Sequence, residues 1–133
     1  MADAATQELL QLNQRLLDSI ARGDWTTYEE LCDPSLSAFE PESCGQLVEG
    51  MPFHRFYFNL GGVQGEHNTT MASPHVRLMG DVAVVAYVRL NQRVDRQGAP
   101  AESAVAETRV WQRQGGRWRH VHFHRSSPGP RPI

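Results

Sequence analysis

A chain of 133 residues, 40% apolar and 21% charged, is long enough to bury a core and too apolar to remain unfolded. Its net charge of −2 offers no global attraction to nucleic acid or to an anionic membrane surface. No apolar run reaches the length of a membrane span, and the first residues lack a basic-then-apolar leader pattern. With two cysteines in no metal-type spacing, the expectation is one domain over residues 1–133, reduced and cytoplasmic, with a Cys32–Cys44 disulfide as the alternative.

Residues 4–20 carry Leu9, Leu12 or Asn13, Leu16, Leu17 and Ile20 at helical spacing, with Gln7, Glu8, Gln11, Gln14, Arg15 and Asp18 on the other side. Gly23 ends this helix, Asp24 caps a second one over residues 25–32, and Asp33-Pro34 stops it. Residues 35–40 alternate as a short strand that Pro41 interrupts, and residues 46–49 form a second extended piece. Pro52 suits a first helical turn, so residues 53–59 read as a short helix ended by Gly61-Gly62, with a polar loop to about Asn68. Four strands follow, 69–79, 82–94, 101–112 and 117–126, separated by Gly80-Asp81, residues 95–98 and Gly115-Gly116. They form an antiparallel meander. Pro74 marks a bulge or an edge strand, and the proline-rich tail 127–133 and residues 1–4 are expected to fray. Helices followed by a long antiparallel sheet define an α+β fold: a curved sheet crossed by the first helix, with a cavity between them.

Strand parity selects the side chains that share a face. Arg119, Val121, Phe123 and Arg125 fall on one side of the last strand and Trp118, His120, His122 and His124 on the other; Val121 and Phe123 mark the first set as the core side. Glu107, Arg109 and Trp111 share a face, as do Tyr87 and Arg89, although both faces of that strand are apolar enough to leave its inner side ambiguous. Arg89, Arg109 and Arg125 thus converge, with Glu107 and Tyr87 nearby. Two readings stand: a buried ion-pair network using Glu107 and Glu40 or Glu49, and a pocket for a small carboxylate, to which the planar guanidinium fork is suited. His54, inside the apolar run 53–58, is the one inward group able to serve as a base, or else a histidine hydrogen-bonded at the core's edge. His120, His122 and His124 have the spacing of a metal site on a strand, but no cysteine or acid reinforces it, so no metal and no cofactor is expected. No nucleophile-elbow, zincin or phosphate-loop motif is present.

The segments CDPSLSAFEP, LVEGMPFHRFYF, PHVRLMGD, AYVRLNQ, ETRVWQR and the closing WRHVHFHRS resemble, in order, the association (hub) domain of calcium/calmodulin-dependent protein kinase II. The resemblance runs from about Leu9 to Ser126. It implies a nuclear transport factor 2-like cone and assembly rather than catalysis: a homo-oligomer of two stacked rings, roughly 12–20 subunits in all, that gathers the kinase domains of a calmodulin-binding parent. It also implies an arginine-lined cavity that takes small carboxylates such as γ-hydroxybutyrate. His54 matches the histidine of FHRFYF, Arg89 the arginine of AYVR, Arg109 that of ETR and Arg125 that of HFHR. The chain departs from animal hubs in a loop between Phe58 and His67 that is shorter and lacks their tryptophan.

Two function classes follow. One is an oligomerisation scaffold, non-catalytic in itself, whose leftover apolar residues in 53–58 and on the outer face of 82–90 pack between subunits. The alternative is an isomerase or cyclase on the same cone, using an inward acid or base.

Overall fold

The computed structural model describes residues 3–127. Helix α1, Ala4–Arg22, starts where the Asp3 carboxylate accepts the Thr6 amide at 2.8 Å, so Asp3 and Ala4 are a cap and a first turn. Most of the proline-rich tail lies outside the described residues. Gly23, at φ 70, closes α1 in the left-handed conformation, and the Asp24 amide returns to the Ser19 carbonyl. Asp24 then caps α2, Trp25–Leu31, through the Thr27 amide and hydroxyl.

The helix stops just before Asp33-Pro34, as expected, and β1, Cys32–Phe39, begins at once, earlier than the strand expected from Ser35. The register of β1 against its neighbour slips between Cys32 and Ser37, which places Pro34, with no N–H to donate, in the irregular part of the ladder. A 3₁₀ turn, Pro41–Ser43, leads to β2, Val48–Glu49, and to α3, Pro52–Asn59, which begins at its proline. The strands β3, His67–Met79, β4, Val82–Val94, β5, Pro100–Gln114, and β6, Arg117–Ser126, complete one sheet in the order β2-β1-β6-β5-β4-β3. The meander β3–β6 is antiparallel as expected, whereas β1 runs parallel to β6, so the sheet is mixed. Gly115 and Gly116 both take positive φ in the tight β5–β6 turn. Pro74 lies on the edge strand within a bulge between Ala72 and His75, with Ser73 at φ 50.

A second bulge decides the inner face. Val110 pairs with His122 and Trp111 with His120, leaving Val121 as the extra residue of β6. Parity therefore reverses there. Trp118 and His120 point inward, against the simple alternation, while Phe123 and Arg125 remain inward beyond the bulge and Val121 is displaced from the core. Leu9, Leu16 and Leu17 of α1 pack with Leu36, Val85 and Trp111. Asn13, fully buried, accepts the Trp111 indole N–H at 3.1 Å and so fixes α1 to β5. Among the described residues no helix is long and apolar enough to cross a membrane.

Candidate functional site

Between α1, α2, α3 and the concave sheet lies a cavity of about 360 Å³. One wall is apolar: Ile20, Tyr28, Phe58, Val63 and Phe123. The other is cationic, with Arg89 from β4, Arg109 from β5 and Arg125 from β6 together, and Arg93 nearby. His54, the buried residue of α3, joins them, its ring 5.3 Å from that of Phe123.

Glu107 and Tyr87, expected beside the arginines, lie behind them and form no part of the cavity wall. Glu107 is the shared counter-ion. It accepts from Tyr87 Oη at 2.6 Å and from Arg109 Nη2 at 3.2 Å, and meets Arg89 Nη1 at 3.4 Å and Arg125 Nε at 3.6 Å. Burial works to raise its pKa, but the charges of Arg109 and Arg89 overcome that and hold the carboxyl below its ordinary value. Burial likewise opposes the charge on Arg109, which Glu107 and Tyr87 restore, so its pKa ends raised. Arg89, desolvated and only partly compensated by Glu107, has its pKa lowered. The buried ion-pair network is therefore present, and its three arginines border the cavity.

The network also ranks the arginines. Each nitrogen of Arg109 has a protein partner: Nε donates to Tyr87 Oη at 2.9 Å, Nη2 to Glu107, and Nη1 to His120 Nε2 at 3.3 Å. Its guanidinium lies 4.5 Å over the Phe123 ring. Arg89 donates through Nε to Thr69 and through Nη1 to Glu107, and Arg125 grips Glu42 through Nη1 at 2.7 and 2.9 Å. The Nη2 groups of Arg89 and Arg125, unlike that of Arg109, have no partner among the described residues.

His54 Nε2 lies 3.1 Å from Glu40 Oε2, and its Nδ1 is buried with no hydrogen-bond partner among the described residues. Of the two other acids considered for the network, Glu40 therefore serves His54, while Glu49 is exposed at the far edge on β2. Glu42 and Arg93 were missed by sequence reasoning; Glu42 sits in a 3₁₀ turn, where no periodicity assigns a side.

The three histidines of β6 do not share a face. His120 is inward and fully buried, receiving Arg109 on Nε2, with Nδ1 3.4 Å from Cys32 Sγ; burial and the Arg109 charge hold it neutral, with a pKa well below the ordinary value. His122 and His124 lie on the outer side, past the bulge, and no group of three metal-ligating side chains occurs among the described residues. Cys32 is buried and Cys44 exposed, and both are free. Burial, the leading cause, pushes the Cys32 thiol pKa up to about 12.

The family model of the calcium/calmodulin dependent protein kinase II association domain matches residues 5–129. The chain belongs to that association-domain family. It is 47% identical to the calcium/calmodulin-dependent protein kinase type II subunit delta of Oryctolagus cuniculus over 133 residues, 98% of this chain and 25% of the relative, so it spans a quarter of that protein's length. The association domain of C. elegans CaMKII superposes with a TM-score of 0.88 at 46% identity, covering 93% of this chain and 96% of that one. The CaMKII hub homology domain of C. reinhardtii gives 0.88 at 47%, covering 95% and 100%. The wider fold is nuclear transport factor 2-like: a member of that superfamily from Salmonella enterica matches with a TM-score of 0.77 at 25% identity, covering 98% of this chain and 97% of that one. The same fold carries a ketosteroid isomerase-like protein from Shewanella frigidimarina at 18% identity, a TM-score of 0.69 and 87% and 92% coverage, a likeness of architecture alone.

Proposed function

We propose that this association domain is a non-catalytic oligomerisation hub that closes with copies of itself into two stacked rings in a reducing, cytoplasmic setting, gathering the kinase domains of a parent chain. The family match across residues 5–129 carries the reading. Two apolar surfaces agree with it: Phe56, Tyr57 and Leu60 on and beyond α3, and Val88 and Leu90 on the outside of β4. Native mass spectrometry at micromolar concentration is expected to give a closed assembly of roughly 12–20 subunits. A monomer or simple dimer would overturn the proposal.

The cavity in this reading holds a small carboxylate, received by the free Nη2 groups of Arg89 and Arg125. Its wall also presents His54 Nδ1, buried with no partner among the described residues, which a hydroxyl can meet as donor or as acceptor. An occupant combining a carboxylate with a hydroxyl meets both demands. In calorimetric titration 4-hydroxybutyrate is expected to bind about 3- to 10-fold more tightly than butyrate, the equivalent of one net hydrogen bond. His54→Phe is expected to erase that difference. If neither acid binds at millimolar concentration, the carboxylate reading fails.

A further inference from the structure

The outer face of the sheet has the anatomy of an interface. Its centre is built from Val84 and Val88 of β4, Ala106 and Val110 of β5, His122 and His124 of β6, and Ser37 and Phe39 of β1, brought side by side by the pairings Val84–Val110, Val88–Ala106, Val110–His122, Ser37–His122 and Phe39–His124. Other charged and titratable side chains lie at the margin: Glu49 on β2, His75 and Arg77 on the edge strand β3 and Glu102 toward the far end of β5. An uncharged centre with a charged rim is how protein contacts are organised. Helix α1 packs on the other side of the sheet, and Phe39, Val88 and Leu90 are left 36–41% exposed. A centre without charge asks for a partner without charge, and the same face of a second copy supplies one.

Two titratable groups stand in that neutral centre. His122 is half-buried, its Nδ1 2.8 Å from Ser37 Oγ, and the Phe39 ring lies 6.5 Å from that of His122 and 5.7 Å from that of His124. The side chains facing them from β5 are Thr108 and Val110, and those from β1 are Ser37 and Phe39, all uncharged. The acid nearest on this face is Glu49, across β1 opposite Ser37. On β6 itself Arg119 is turned to the Glu30 carbonyl at 2.6 Å. Nothing in the centre would balance an imidazolium.

We infer that this face is where a second copy of the chain packs, and that His122 and His124 make the contact open on acidification. The inference rests on the hub reading and adds to it a named surface and its regulation. Burying either ring against a partner disfavours the charged form. Burial and the neighbouring His124 already keep the His122 pKa below its ordinary value in the single chain. Association therefore lowers proton affinity, and by linkage protonation opposes association. The contact is complete above the ordinary histidine range, about pH 6.5, and is lost as pH falls through and below it.

Analytical ultracentrifugation of the full chain at fixed salt, at about pH 8 and pH 5.5, tests this. The concentration at which the assembly half-dissociates is expected to rise tenfold or more on acidification, the effect of about one pKa unit on one group. His122→Gln/His124→Gln removes both charges and is expected to stay assembled at both pH values, whereas His67→Gln, on the cavity side of β3, is expected to behave as wild type. Val110→Arg puts a permanent cation in the centre and is expected to dissociate the assembly at pH 8 with the circular dichroism spectrum retained. Wild type unaffected by acid, a double variant as acid-sensitive as wild type or already dissociated at pH 8, or an intact Val110→Arg assembly would each overturn the inference while leaving the hub reading in place. A wild-type monomer at pH 8 would remove the hub reading itself and the inference with it.

Discussion

Replacing Glu107 by alanine is expected to destabilise the fold by about 3–5 kcal/mol, the cost of leaving a buried ion without its partner. The carboxylate is 2% exposed and meets Arg109, Arg89 and Arg125, two of which are themselves buried and paired through it. Its removal leaves like charges facing one another across a desolvated floor, with Tyr87 Oη deprived of its acceptor. Urea denaturation at a fixed protein concentration measures the loss, since any assembly couples stability to concentration. The replacement Glu107→Leu/Arg109→Leu is expected to cost clearly less than the two single replacements added together, because the double change removes a charge pair instead of stranding one ion. A loss under about 1 kcal/mol for the alanine variant, or strict additivity of the leucine variants, would show that the network is not held through Glu107.

The same residue gives the fold an acid limit. Its pKa is depressed in the folded state, so its contribution is complete above the ordinary glutamate value, about 4.3, and disappears as pH falls toward the depressed one. Glu107→Gln is expected to be less stable than wild type at neutral pH and to lose less further stability on acidification.

What the sequence disclosed about this site depended on whether the strands were regular. In β4 and β5 the ladder runs without interruption from Val82 to Val94; simple alternation groups Glu107, Arg109 and Trp111 and pairs Tyr87 with Arg89, and the register Tyr87–Glu107 settles the side that two apolar faces of β4 leave open. In β6 the bulge at Val121 has no signature, since a valine between two histidines extends the alternation in either register. Parity alone therefore puts His120 outside and counts it with His122 and His124, when it is the residue that receives Arg109 in the core. Arg125 is assigned to the inner face despite that error because the count was anchored on Phe123, beyond the bulge. Pro34 marked the end of the helix correctly but hid the start of the strand, because the slipped register of β1 absorbs a residue with no N–H to donate. Polar partners at the cavity mouth, Glu42 above all, come from turns, where only the folded backbone decides which side chains converge. The motifs FHRFYF, ETRVW and VHFHR supplied what periodicity lacked, since each carries an inward residue together with its neighbours.

Gly62→Ala is expected to cost about 1–3 kcal/mol, although the residue lies in a loop, because its added methyl overpacks against backbone. The chain from Leu60 to Val63 crosses the end of α1, where a Cβ at Gly62 would come within 2.6 Å of the Arg22 carbonyl carbon and oxygen and of the Ala21 oxygen. No rotamer change relieves a clash with backbone, so the loop must lift. Lifting it breaks the bond from the Val63 amide to the Ala21 carbonyl, 2.7 Å long, and draws Val63 out of the cavity wall. Gly23 shares the constraint from the opposite side, its own Cβ position lying 2.7 Å from the Gly62 nitrogen. Gln64→Ala, two residues away and exposed, is expected to change stability by no more than about 0.5 kcal/mol. Urea midpoints for the two variants at one protein concentration make the comparison. Equal values would mean that the loop rests on α1 without being fitted to it. The expected gap instead means that the apolar wall of the cavity is set by two glycines in van der Waals contact, which accounts for a loop so short retaining a defined path.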